Sequence, residues 1–189
     1  MQGGGSDTEL SETGRLQAEK LAETLKNERV DAIYSSPLKR ALATAQTIAS
    51  YHKIPVQIEP DFREIEAGEL EGLSLADLST SFSQFILHWR EGNGQEKLPG
   101  GESVADLAER VWHAIQRVKA KYDNGTVIVV THFFCVVVAI CKALGWPLTT
   151  LERIRVQTGS ISIVDLNENQ PRLLLLGDIC HLKDIQSNR

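Results

Sequence analysis

The chain has 189 residues, of which 42% are hydrophobic and 24% are charged, and its net charge is −5. This length and composition are typical of one globular domain with a sizeable core, and we take residues 1–189 as that domain. The acidic charge and the absence of a basic run argue against nucleic acid as a partner. No apolar run is long enough to span a membrane.

The N-terminus has no signal-peptide pattern. The three cysteines, Cys135, Cys141 and Cys180, have neither metal-ligand nor redox spacing. Cys141 falls in a helix that we predict to be buried and Cys135 directly precedes that helix, so we expect a reduced, cytoplasmic protein. We expect no metal and no cofactor.

The first elements are a loop and a helix. Residues 1–9 are polar and rich in glycine, which predicts a loop. Ser11 or Thr13 then caps a helix that runs to about Asn27.

The first predicted strand, Val30–Tyr34, is followed at once by Ser35-Ser36-Pro37. Serine is a good N-cap and proline suits the first helical position, so Ser36 and Pro37 predict the start of a second helix. Arg40 lies about one turn into that helix, from where its side chain can reach back toward the end of the strand.

An acidic loop, Pro60–Gly72, follows a weak strand at Val56–Ile58. Such a run of charges is usually a solvated surface, but it can also place one carboxylic acid over a pocket as a proton donor. The sequence leaves both interpretations open. The acidic residues are Asp61, Glu64, Glu66, Glu69 and Glu71.

The segment Leu73–Trp89 predicts one or two short helices with an apolar stripe. This stripe either packs against the rest of the chain or forms a small helical cap, at about 73–98, over the mouth of the sheet.

A turn at Pro99–Ser103 leads into a long helix that extends to Tyr122. Ser103 and Asp106 have the spacing of a capping box, which predicts where the helix begins. The residues on its buried side recur with helical period and are Leu107, Val111, Ile115 and Val118.

Another strand and helix flank a lone histidine. Thr126–Val130 is a continuous β-branched run, the pattern of a strand buried on both faces. Val136–Leu144 is apolar almost all round and is followed by Gly145, which predicts a buried helix with a glycine stop. His132 lies between them, where open α/β sheets bind ligands and helix N–H groups attract anions.

The chain therefore contains the same predicted unit twice: a strand, then a polar turn, then the N-terminus of a helix. If strands 30–34 and 126–130 are close neighbours, Arg40 and His132 meet at one mouth and form a pocket for a phosphate. The alternative for His132 is a packed, hydrogen-bonded core histidine.

Three further strands are predicted near the C-terminus, at Ile154–Val156, Ser160–Leu166 and Arg172–Leu176, the last two as a hairpin. Helices interleaved with strands predict an α/β fold, with a mostly parallel sheet and helices on both faces.

Together the motifs resemble the histidine phosphatase (phosphoglycerate mutase-like) superfamily. They span the chain in the family's order, so their combination is far more specific than any one of them. The stretches concerned are Asp7–Gly14, Ser35–Ala41 with Thr44 and Ala45, Phe62–Ile65 with Gly68, Glu71 and Gly72, Pro99–Ser103, Val130–His132 and His181-Leu182.

The resemblance implies a two-step phosphoryl transfer through a phosphohistidine on small phosphomonoesters. Carried over by motif, Arg40 is a phosphate-binding arginine, Glu64 is the proton donor to the leaving oxygen, and His132 is the second histidine that holds phosphoryl oxygens. These roles suit the side chains: a guanidinium contacts two oxygens at once and a protonated carboxyl group supplies a proton.

The chain departs from the family in one serious respect, because it contains no Arg-His-Gly turn, where the family carries its nucleophile. No other histidine of this chain stands in for it. A smaller departure is Phe133-Phe134, at positions where the family usually has glycines.

Three explanations of the absent Arg-His-Gly turn are open. The chain is a truncated phosphatase, which we favour, or it is a natural protein that binds phosphate or a partner without catalysis. In the third, a separate chain supplies the missing strand. The missing strand predicts unpaired strand edges and self-association. The short span between Gly72 and Pro99 favours a phosphatase of broad, α-ribazole phosphate or sugar phosphate specificity over a phosphoglycerate mutase.

Overall fold

The computed structural model describes residues 2–73, 94–166 and 170–186. Its α-helices are Glu12–Leu25 (α1), Lys39–His52 (α2), Val104–Lys121 (α3), Phe133–Leu144 (α4) and Lys183–Gln186 (α5). Its strands are Ala32–Ser35 (β1), Val56–Ile58 (β2), Val127–Val130 (β3), Ile161–Asp165 (β4) and Arg172–Asp178 (β5). Short 3₁₀ helices lie at Pro60–Phe62, Gly68–Leu70, Leu148–Arg153 and Cys180–Leu182.

A three-stranded parallel sheet in the order β2-β1-β3 is the centre of the fold. β1 and β3 pair directly, with Ala32 opposite Val127 and Ser35 opposite Val130. The predicted proximity of these two strands is confirmed. Because both strands run the same way, the residues that follow Ser35 and Val130 emerge at the same edge of the sheet.

Helices cover both faces of this sheet, as predicted. Successive side chains of a strand point to opposite faces. Ile33 packs with α1 and α2 residues in one apolar cluster. Ala32 and Tyr34 pack with α3 and α4 residues in the other. The expected α/β fold with a mostly parallel sheet is therefore confirmed.

The two C-terminal strands form the predicted hairpin. β4 and β5 are antiparallel, with Asp165 opposite Arg172 and irregular register around Ile163.

Three helix ends follow their sequence signals. The Ser11 side chain caps α1 by accepting a hydrogen bond from the Gly14 N–H. Ser103 and Asp106 form the predicted capping box of α3. Gly145 ends α4 with a left-handed backbone, which glycine adopts without a steric penalty.

Two predictions were wrong. α2 begins at Lys39 with Leu38 at its N-cap, not at Pro37 after Ser36, because the first carbonyl oxygen to accept a helical hydrogen bond, from the Leu42 N–H, is that of Leu38. Ile154–Val156 is not a strand, since these residues follow a 3₁₀ helix and join neither sheet. Ile154 is buried in the α3/α4 cluster, so its apolar character reflects burial and not strand pairing.

The expected burial of β3 on both faces was also wrong. All four residues of β1 are buried, whereas those of β3 are only partly buried and Val129 is 36% exposed. The reason is position in the sheet: β1 has a neighbour on each side, and among the described residues β3 pairs with β1 alone.

The predicted helical cap at about 73–98 falls largely outside the described residues, which resume at Gly94. In the part of the chain that the structure describes, no helix is both long and apolar enough to cross a membrane.

Candidate active site

The register of β1 and β3 brings two polar side chains together at the edge where both strands end. Ser36 follows β1 and His132 closely follows β3. His132 Nε2 and Ser36 Oγ lie 2.7 Å apart and share a hydrogen bond. Ser36 Oγ also accepts a bond of 3.3 Å from the Leu38 N–H. Ser36 thus bonds to His132 and to the Leu38 N–H, and the N-cap of α2 is Leu38.

Burial and nearby positive charge control the protonation of His132. The pKa of its imidazole is lowered to about 3, first by burial and then by the charges of Arg40 and Arg110. The ring is therefore neutral at neutral pH when the site holds no anion.

Arg40 lies in the first turn of α2 and reaches the N-terminal segment. Its guanidinium donates to the carbonyl oxygens of Ser6 and, at 3.4 Å, Gly3. Burial lowers the pKa of Arg40, and the carboxyl groups of Glu64, Asp7 and Glu71 oppose that effect. With respect to the described residues, two of the five guanidinium N–H groups are used in these bonds, which leaves three that can bind an anion.

The glycine-rich segment of residues 3–6 lies against the acidic loop. Glu71 holds it with both oxygens, which accept from the Gly5 N–H at 2.7 Å and the Ser6 hydroxyl at 2.9 Å. A Cβ atom on Gly3 would lie 2.9 Å from the backbone carbonyl oxygen of Ile65, so this close approach favours glycine.

Glu64 is the buried acid of the loop, with 4% of its surface exposed. Its Oε1 accepts from the Ile65 N–H at 2.9 Å, and its Oε2 accepts from the Phe134 N–H at 3.2 Å. Burial raises the pKa of Glu64, while these two N–H groups and the Arg40 charge work in the opposite direction. The N–H of Phe134, in the first turn of α4, is thus bound to Glu64.

The other acidic residues of the loop have different surroundings. Glu66 and Glu69 are exposed. Asp61 forms an ion pair of 2.7 Å with Arg117, and Glu71 binds the glycine-rich segment. Of the two interpretations that the sequence left open, the solvated surface fits Glu66 and Glu69, whereas Glu64 is enclosed.

Arg110 of α3 binds the backbone of the acidic loop. Its guanidinium donates to the carbonyl oxygens of Asp61 and Arg63, both at 2.7 Å, and of Glu64 at 3.1 Å. It also forms an ion pair with Glu102, at 2.6 Å from Oε1 and 3.1 Å from Oε2. We call this arrangement, Arg110 with Glu102, the loop clamp.

The turn that carries Glu102 packs directly on the acidic loop. Glu102 Oε1 accepts from the Glu66 N–H at 2.9 Å. A Cβ atom on Gly101 would lie 2.1 Å from the Glu66 carbonyl oxygen. Gly68 has a φ of +55°, and a Cβ atom there would lie 2.1 Å from the Pro99 carbonyl oxygen. Both glycines are therefore required for this contact.

The three residues singled out from the sequence, Arg40, Glu64 and His132, do lie at one edge of the sheet. The charge of Arg40 lowers the pKa of both Glu64 and His132. Sequence reasoning missed Ser36 and Arg110 as parts of this site. The position of Ser36 was a possible signal, because Ser36 directly follows β1 just as Thr131 directly follows β3. That signal could be used only once the register between the two strands was known.

A family model of the histidine phosphatase superfamily (branch 1) matches residues 1–179. The chain belongs to the histidine phosphatase superfamily. The resemblance predicted from the sequence motifs is therefore confirmed.

Named relatives of this histidine phosphatase chain include both phosphatases and probable phosphoglycerate mutases, among them GpmB of Proteus mirabilis, which is 32% identical over 188 residues, covering 96% of this chain and 87% of that protein. This chain is 33% identical over 176 residues to phosphoserine phosphatase 1 of Hydrogenobacter thermophilus, covering 93% of this chain and 83% of that protein. The mycobacterial glucosyl-3-phosphoglycerate phosphatase in complex with inorganic phosphate superposes with a TM-score of 0.84 at 27% identity. The match covers 96% of this chain and 92% of that protein. The α-ribazole phosphatase of Shigella flexneri superposes with a TM-score of 0.80 at 26% identity. The match covers 94% of this chain and 88% of that protein.

Removing the loop clamp should destabilise this histidine phosphatase far more than removing an exposed ion pair. Arg110→Met leaves the Glu102 carboxylate and three carbonyl oxygens without their charged donor, so we expect a loss of at least about 2 kcal/mol. Arg117→Met, in which a half-exposed arginine loses Glu59 and Asp61, should cost less than about 1 kcal/mol. Urea denaturation of both variants measures the difference, and equal losses would show that the clamp has no special role.

The low pKa of His132 should make the protein lose stability in acid. Between the folded pKa of about 3 and the ordinary value of 6.5, the unfolded chain binds more protons than the native one. Stability therefore rises with pH across that range, with a contribution of at most about 1.4 kcal/mol per pH unit.

His132→Gln should make this dependence shallower, whereas the same change at exposed His113 should not. The measurement is the free energy of unfolding in urea at a series of pH values. Equal slopes in the wild type and in His132→Gln would contradict the assigned environment of His132.

Proposed function

We propose that Arg40, Glu64 and His132 are the chain's contribution to a phosphomonoesterase active site for small phosphorylated substrates. The observation that carries this proposal is the buried carboxyl group of Glu64, with its raised pKa, within electrostatic reach of Arg40. A buried carboxyl group with a raised pKa is suited to donate a proton, and a neighbouring guanidinium is suited to phosphate oxygens.

Arg40 and His132 hold the phosphoryl group in this proposal. Arg40 keeps N–H donors beyond those bound to the glycine-rich segment. His132 is neutral before an anion binds, and a phosphate dianion beside it favours the protonated ring. Binding of phosphate is then coupled to uptake of a proton, after which the imidazolium stabilises charge on the phosphoryl oxygens.

Glu64 acts in the step that cleaves the ester. A nucleophile forms a bond to phosphorus while the bond between phosphorus and the leaving oxygen breaks. The Glu64 proton passes to that oxygen, so the product leaves as an alcohol and Glu64 becomes a carboxylate. Water attack on the phosphorylated nucleophile returns a proton to Glu64 and releases phosphate.

The nucleophile is what the chain does not provide, since its sequence contains no Arg-His-Gly turn. Positioning and charge stabilisation do not replace a group that bonds to phosphorus in this covalent route. The three residues alone should therefore bind phosphate weakly and support only trace turnover.

The names of the relatives suggest which esters to test. They point to phosphoserine, glucosyl-3-phosphoglycerate and α-ribazole phosphate. All three are small phosphomonoesters, so a panel of such esters is the natural substrate screen.

We also infer a reducing, cytoplasmic setting. Cys135 and Cys141 are buried and free, and Cys180 is exposed and free. Thiols of this kind are typical of proteins kept in a reducing compartment.

Rapid-quench labelling with a phosphate donor tests the covalent route. We expect the chain as it stands to form no acid-labile phosphohistidine. The same chain with an Arg-His-Gly-containing strand fused to its N-terminus should form one and turn over. If the unfused chain becomes labelled and turns over many times, His132 is itself the nucleophile and the proposed division of roles is wrong.

Glu64→Gln in the fused protein should lower kcat by about 10²–10⁴-fold while changing KM little, because the amide keeps the shape of the carboxyl group but cannot donate its proton. Glu69→Gln, at an exposed position of the same loop, is the matched control and should leave kcat unchanged. Unchanged kcat in Glu64→Gln at saturating substrate would reassign the proton donor.

A further inference from the structure

The backbone of the acidic loop is bonded to other segments at every residue from Asp61 to Glu66. Each carbonyl oxygen in this run accepts a hydrogen bond from outside it. Loops usually have few such bonds and move more than the elements that they connect, so the segment around Glu64 is fixed to an unusual degree. The donors are the side chains of Arg110, Thr131 and Cys135 and the backbone N–H groups of Gly4 and Glu102.

Arg110 uses its whole guanidinium for this purpose. Nη1 donates to the carbonyl oxygens of Asp61 and Arg63. Nη2 donates to the Glu64 carbonyl oxygen and to Glu102 Oε1, and Nε donates to Glu102 Oε2. A guanidinium has five N–H donors, so these five bonds leave Arg110 none for a phosphoryl oxygen. Its charge acts near the site, but its hydrogen bonds all go to the protein.

Glu102 holds the loop on the other side of Glu64. Its Oε1 accepts from the Glu66 N–H at 2.9 Å, and its own N–H donates to the Glu66 carbonyl oxygen at 3.0 Å. The side chains of Arg110 and Glu102 are only 22% and 14% exposed, so water screens this ion pair far less than one on the surface. The loop clamp therefore grips the backbone both at Glu64 and two residues beyond it.

We propose that the loop clamp is a positioning device for proton transfer: Arg110 and Glu102 hold the backbone around Glu64 so that its carboxyl group stays enclosed within reach of the leaving oxygen. This inference rests on the proposed function of Glu64 as the proton donor. A general acid acts only within about 2.6–3.2 Å of the oxygen that it protonates, and a displacement of about 1 Å costs a factor of about 10² in rate. Arg110 is then a positioning residue, which acts through Glu64.

A displaced acid has an effect that general damage to the fold does not have. Dinitrophenolate is a weakly basic leaving group and departs without a proton, whereas the more basic phenolate gains from protonation. Displacement of Glu64 should therefore slow cleavage of phenyl phosphate and spare dinitrophenyl phosphate. Loss of folded protein slows both esters by the same factor. The ratio of the two rates in one preparation is thus independent of the fraction that is folded.

The test compares the two esters in the protein fused to the Arg-His-Gly-containing strand. Arg110→Lys keeps the positive charge but has three donors in place of the planar set of five. The rate measured is that of phosphoenzyme formation in a single turnover, which excludes the later attack by water. We expect this rate to fall at least about tenfold with phenyl phosphate and less than about threefold with dinitrophenyl phosphate.

Two further variants frame this result. Glu102→Gln keeps the side-chain shape but removes the charge that pairs with Arg110, so it should give the same selective loss to a smaller extent. Arg117→Lys is the matched control on the same helix, because Arg117 pairs with the side chains of Glu59 and Asp61. It should leave both rates unchanged. If Arg110→Lys slows both esters equally, or slows neither, the clamp does not position Glu64 and the inference is wrong.

A second measurement uses the chain without the fusion. Carbon NMR of labelled glutamate carboxyl groups follows the titration of Glu64, whose signal is assigned by its loss in Glu64→Gln. Burial raises the pKa of Glu64, and the charges of Arg40 and Arg110 oppose that effect. Arg110→Lys retains a positive charge, so release of the loop into water should bring this pKa down toward its ordinary value. An unchanged or higher pKa would overturn the inference.

Glu64→Gln in the fused protein distinguishes failure of this inference from failure of the proposed function. It should slow phenyl phosphate and spare dinitrophenyl phosphate. If it does so and Arg110→Lys does not, the proposed function stands and the clamp inference is rejected. If Glu64→Gln slows both esters alike, or the fused protein is inactive, the proposed function fails and the NMR titration alone decides whether the clamp keeps Glu64 enclosed.

Discussion

The parallel pairing of β1 with β3 is the constraint on which the candidate site depends. With Ser35 opposite Val130, the two chains leave the sheet together, and Ser36 meets His132 at 2.7 Å. A shift of one residue would turn every side chain of β3 to the other face of the sheet and would separate this pair. Arg40 is placed by the same pairing, since α2 starts only a few residues after β1.

Burial has opposite effects on the two titratable groups at this edge. It favours the neutral form of both, so it raises the pKa of Glu64 and lowers that of His132. The positive charge of Arg40 then disfavours protonation of both. Burial therefore biases Glu64 toward its acid form and His132 toward the neutral imidazole, and a bound phosphate dianion would favour protonation of both groups.

The two sides of the site are supported very differently. The acidic loop is held by the loop clamp, in which Arg110 joins three loop carbonyl oxygens to Glu102. The glycines of the adjoining turn allow the two segments to touch. The sheet, in contrast, has an apolar strand at its edge with backbone groups that no described strand pairs. Charged hydrogen bonds and close backbone contacts are therefore concentrated around Glu64, whereas β3 is less covered.

The sequence by itself determined most of the local elements and the type of chemistry. Capping signals at Ser11 and Ser103 and the glycine stop at Gly145 are local, so they fixed helix ends correctly. Motif order identified the superfamily and the three candidate residues. Only the tertiary structure decided which acid of the loop is buried, that Ser36 binds His132 instead of capping α2, and that β3 is an edge strand. Each of these depends on what lies opposite a residue in space, and neither periodicity nor propensity along the chain carries that information.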